Sequence, residues 1–74
     1  MSNQLPILIS KWREREGVTQ HEAAERIGIS QSFLSRIESG VRFPERSTAQ
    51  RLIAAGVITA EQFAAAMLED PAAA

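Results

Sequence analysis

Apolar residues recur at steps of three and four near the start of the chain, at Leu5, Leu8, Ile9 and Trp12. That spacing places them on one face of an α-helix. Pro6 suits a first helical turn, where its missing N–H costs nothing, and Gly17 is placed to end the helix after Glu16. Thr19 reads as an N-cap, and Glu22 three residues on completes a capping box. A second helix therefore spans 20–27, with Ala23, Ala24 and Ile27 inward, and Gly28 stops it. Ser30 caps a third helix that ends at Gly40, with Phe33, Leu34 and Ile37 inside one arc of about 100°. In the loop "VRFPERS", Pro44 disfavours helix at Phe43. A fourth helix runs roughly from Glu45 to Ala55, with Ala49, Leu52 and Ile53 inward, and Gly56 ends it. Thr59 and Gln62 form a second capping box and open a fifth helix, about 59–68. No stretch alternates with period two. The pattern predicts an all-α fold of five short helices, one domain over 1–70, with a frayed tail at 71–74.

Composition narrows the chemistry. A chain of 74 residues makes one domain and buries only about 60% of the surface its unfolded form exposes, so it gains from dimerising. It has no cysteine and one histidine, which argues against a disulfide framework and a metal site. No paired carboxylates form a recognisable site. We therefore expect neither an enzyme nor a cofactor. No apolar run approaches the roughly 20 residues of a membrane span, and no basic residue precedes the short apolar patch of the N-terminus. A soluble, cytoplasmic protein without membrane association is expected.

The third helix raises a sharper question. Opposite its apolar stripe lie Gln31, Ser32, Ser35, Arg36 and Ser39. These side chains suit base edges: glutamine can bond adenine bidentately, serine can donate or accept, and arginine can take both acceptors of guanine. A net charge of −1 does not favour nucleic acid, but its distribution does. All eight basic residues (Lys11, Arg13, Arg15, Arg26, Arg36, Arg42, Arg46 and Arg51) fall between positions 11 and 51, with six acids among them, a local balance of +2. Glu61, Glu69 and Asp70 follow in a stretch without a base. Positive charge gathered on one face is sufficient for a polyanion.

Residues 20–39 resemble the helix-turn-helix of the phage repressor and Cro (XRE-type) family. Ala24 stands at the motif's small fifth position, Gly28 at its ninth, and Leu34 and Ile37 at its closing apolar positions. "WREREGVTQ" before the motif and "IESGVRFP" after it extend the match to about fifty residues. The resemblance implies a lambda-repressor-like DNA-binding domain. Base contacts would fall on Gln31, Ser32 and Arg36, with Ser35 on the same face. Phosphate contacts would fall on Gln20, Arg42 and Arg46, Gln20 also steadying Gln31. A structural ion pair would join Arg13 to Glu38. The chain departs from the family at Ala23, where leucine is usual, so a larger neighbour such as Trp12 or Phe33 must fill the space. It departs again at Arg46, where an apolar residue is usual.

The resemblance also implies a transcriptional regulator, a repressor acting as a homodimer on a pseudo-palindromic operator. The apolar residues of the last helix place a dimer face at Ile58, Phe63 and Met67. Glu22 and Glu25 on the second helix match the position of an RNA polymerase contact in similar repressors. The rival class is a protein-interaction module, antitoxin-like or anti-activator, using the acidic end and the apolar last helix.

Overall fold

The computed structural model describes residues 4–69. Those residues form five helices and no strand: α1 (Leu5–Glu16), α2 (Gln20–Ile27), α3 (Gln31–Glu38), α4 (Arg46–Ala54) and α5 (Ala60–Glu69). The tail expected at 71–74 lies outside the described residues.

Helix ends fall where local chemistry satisfies the orphan backbone groups. The Glu22 N–H donates to Thr19 Oγ1 at 3.1 Å, and the Thr19 N–H donates to Glu22 Oε1 at 2.9 Å. Thr59 and Gln62 repeat this reciprocal pair at 3.0 and 2.9 Å. Each box satisfies two donors that the first turn leaves unpaired. Gly17 closes α1 in the left-handed region, at φ 67°. Several boundaries move by a residue or two, α5 among them, which runs from Ala60 to Glu69. Glu45 is the N-cap of α4, not its first residue, and α3 ends at Glu38 with Ser39 as its cap.

The core draws on every helix. Leu5, Ile9 and Trp12 of α1 meet Ala23, Ala24 and Ile27 of α2, Leu34 and Ile37 of α3, Leu52 of α4 and Ala66 of α5. Leu5, Ile9, Leu34, Ile37 and Leu52 are fully buried, each contributing on the order of 2 kcal/mol through loss of water contact. The small Ala23 is buried in the same cluster as Trp12, and Phe33 packs against that cluster. Helix α3 packs against both α1 and α2, which leaves one of its long sides uncovered.

Ile58 departs from expectation. The apolar pattern of the last helix places it on a dimer face, but it lies in the turn between α4 and α5 and is only 4% exposed. The chain reverses at Gly56, at φ 81°, and the Val57 N–H donates to the Leu52 carbonyl. Val57 and Ile58 are thereby folded into the core. Ile58 thus supports the monomer and offers no surface to a partner.

Candidate nucleic-acid interface

The two faces of α3 are sorted by burial. Leu34 and Ile37 are buried and Phe33 is half-buried, while Gln31, Ser32, Ser35 and Arg36 are exposed. The helix starts cleanly because Ser30 Oγ accepts the Phe33 N–H at 3.1 Å. Gln20, at the start of α2, lines one open depression with Gln31, Ser32, Ser35 and Arg36. Five of the residues assigned to reading or phosphate contact thus share one surface. Among the described residues, no carboxylate lies within ion-pair distance of Arg36. Ser39 is on the same side, but its hydroxyl donates to the Arg36 carbonyl at 3.1 Å and caps the helix end.

One expected contact is not made. Gln20 and Gln31 line the same depression, yet their side chains share no hydrogen bond. Gln31 is exposed, so no packing holds its amide against Gln20 and water can satisfy it.

The orientation of α3 is held from behind. Arg13 Nε donates to Glu38 Oε2 at 2.8 Å, and Arg13 Nη2 donates to Glu38 Oε1 at 3.0 Å. This two-bonded fork ties the last turn of α1 to the last residue of α3. Such geometry fixes direction as well as distance.

The cations expected at phosphates occupy different settings. Arg46 is exposed at the first position of α4 and has no acidic partner among the described residues. Arg42, in the loop after α3, lies over the Phe33 ring at 5.7 Å from its centroid. Its Nη2 is 3.8 Å from Glu45 Oε1. The next residue, Phe43, stacks on Phe63 of α5, with centroids 5.7 Å apart. The loop is therefore held between α3 and α5. Periodicity contains no signal for either ring contact, because both join residues across a loop.

Arg51 is a further residue that sequence reasoning left unassigned. A Cβ built on Gly28 would meet Arg51 Nη1 at 2.8 Å, so this guanidinium from α4 lies over the turn between α2 and α3. The spot is the C-terminal end of α2, where a helix favours positive charge. Only the folded chain brings the two together.

On the outer side of α2, His21 Nε2 is 3.5 Å from Glu25 Oε2, and both side chains are exposed. The Thr19 backbone N–H, with its hydroxyl second, holds the Glu22 carboxyl below its ordinary pKa. Arg26 pairs with Glu16 at 3.0 Å. Lys11 and Arg15 sit on the flank of α1 away from Arg13, along a groove with Leu8, Ile53 and Val57. On α5, Phe63 is half-buried against Phe43, Met67 is 38% exposed and Leu68 is 88% exposed. Leu68 was not singled out from the sequence. No described helix is long and apolar enough to cross a membrane.

Searches of curated proteins and of solved structures find no match to this chain. A family described as a helix-turn-helix domain matches residues 7–66. The matched region runs from α1 into α5 and contains the α2–turn–α3 unit whole. The chain belongs to the helix-turn-helix domain family.

Proposed function

We propose that this chain is a sequence-specific DNA-binding transcriptional regulator of the phage repressor and Cro (XRE) type, a repressor that binds a pseudo-palindromic operator as a homodimer. The observation that carries the reading is the α3 surface. Gln31, Ser32, Ser35 and Arg36 form one exposed face with Gln20, while the opposite side of the same helix is built into the core. A helix so mounted can enter a major groove and present an amide, two hydroxyls and a guanidinium to base edges. Gln20, Arg42 and Arg46 contact phosphates and set the register, which carries no sequence information itself.

In the dimer, two copies of α3 enter successive major grooves about 34 Å apart. The dimer face is the exposed apolar side of α5, with Met67 and Leu68 at its centre and Phe63 at its edge. Glu22 and Glu25, both exposed on α2, are the surface available to RNA polymerase.

The test is selection from randomised duplex DNA, followed by anisotropy titration of the enriched site. Gln31→Ala and Arg36→Ala should each weaken specific binding by about 1–3 kcal/mol while nonspecific binding survives. If no site is enriched at any salt concentration, α3 does not read DNA. A second reading, a module that binds a partner protein, is favoured by the exposure of Leu68 and Met67. Salt separates the two: phosphate contacts lose affinity steeply as salt rises, whereas an apolar protein interface barely responds.

A further inference from the structure

We propose that Phe33 is a positioning residue for Arg42, an aromatic platform that presents this guanidinium to the phosphate backbone. The proposal rests on the DNA-binding reading above and adds a role for a residue outside the set assigned to base reading. Phe33 is the third residue of α3, on the border between its buried and exposed sides. Arg42 comes from the loop nine positions later and is exposed. The Arg42 guanidinium carbon nevertheless lies 5.7 Å from the centre of the Phe33 ring, within the range where the ring's negative face attracts a cation.

Two further contacts hold the loop. Glu45 Oε1 approaches Arg42 Nη2 at 3.8 Å, and the neighbouring Phe43 is stacked on Phe63. The guanidinium thus has a ring on one side, a carboxylate on another, and solvent elsewhere. Holding it there before DNA arrives lowers the ordering entropy of a long side chain on binding. Because Phe33 belongs to α3, the contact ties the loop cation to the helix that carries the reading face.

The test uses the full chain, with Phe33→Tyr retaining the ring and Phe33→Leu removing it; Phe33→Met is a second ringless variant should leucine impair folding. In the free protein, the Arg42 δ-proton and Nε–H resonances should be ring-shifted in wild type and Phe33→Tyr, and should return to ordinary positions in Phe33→Leu. On the enriched duplex, Arg42→Ala should weaken binding roughly 3–10-fold and lower the salt slope by about 0.9, one phosphate's share. In the Phe33→Leu or Phe33→Met background the same Arg42→Ala change should weaken binding less than about twofold, since the platform is already gone. Circular dichroism keeps every titration well below the melting transition. An equal factor for Arg42→Ala with and without the ring overturns the role of Phe33 while leaving DNA binding intact. If wild type binds no duplex at any salt, the DNA reading itself fails, and this proposal with it.

Discussion

Arg13 grips Glu38 through two parallel hydrogen bonds, 2.8 and 3.0 Å long, across twenty-five residues of sequence. Their side chains are 26% and 9% exposed, so the carboxylate is the more deeply placed partner. Removing Arg13 strands a nearly buried charge, whereas removing Glu38 frees a cation that can reach water. Arg13→Ala should therefore destabilise the fold by about 2 kcal/mol, below the range for fully buried pairs because the guanidinium is partly solvated. In a domain of this size that lowers the melting midpoint by roughly 10 °C. Glu38→Ala should cost less. A thermal melt of both variants followed by circular dichroism checks the order, and an Arg13→Ala midpoint matching wild type would show the pair to be idle.

The turn between α2 and α3 makes a second prediction. Gly28 sits at φ 89°, where an L side chain is strained, and a Cβ there would also meet Arg51 Nη1. Gly28→Ala should destabilise by about 1–2 kcal/mol. The contacting atom is the far end of a flexible side chain and can swing away, so the backbone should account for most of the loss. Adding Arg51→Ala should then recover little of it, as denaturant titration of the double variant would report. Full recovery would place the cost in the clash instead.

Acid should act at the start of α2. The Glu22 carboxyl is held below its ordinary pKa by the Thr19 N–H and hydroxyl. A depressed pKa in the folded state means that the stabilisation is present above the unfolded value and is lost as pH falls through the folded one. Glu22→Gln keeps an acceptor for the Thr19 N–H but cannot titrate. Its stability should therefore vary less with pH in the acidic range than that of wild type. Identical acid profiles for the two proteins, compared by chemical denaturation, would remove Glu22 from this role.

The outer face of α5 bears on assembly. Leu68 is 88% exposed and Met67 38% exposed, while Ile58 is enclosed. Leu68→Ser should shift the proposed dimer toward monomer by tenfold or more in dissociation constant, since burying a leucine is worth about 1.5–3 kcal/mol. Ile58→Ser should instead lower the melting midpoint of the chain itself. Sedimentation equilibrium with parallel melts separates the two effects, and a Leu68→Ser protein that dimerises like wild type would move the interface elsewhere.

The sequence by itself determined the helices and their order. Thr19 with Glu22, Thr59 with Gln62, and Ser30 each satisfy backbone donors within three residues, and such short-range chemistry is written in adjacent letters. It also determined the two sides of α3, because Leu34 and Ile37 against Ser32, Ser35 and Arg36 is a matter of helical period. The partition of α5 and the loop before α4 was decided only in three dimensions. Ile58 and Leu68 are equally apolar, yet one closes the core beneath a turn and the other stands in solvent. The period of α5 does not govern Ile58, which precedes the helix. Arg42 on Phe33, Phe43 on Phe63, and Arg51 over Gly28 are likewise pairings between separate elements. Nothing local specifies them, because their energy exists only once packing has brought the elements together.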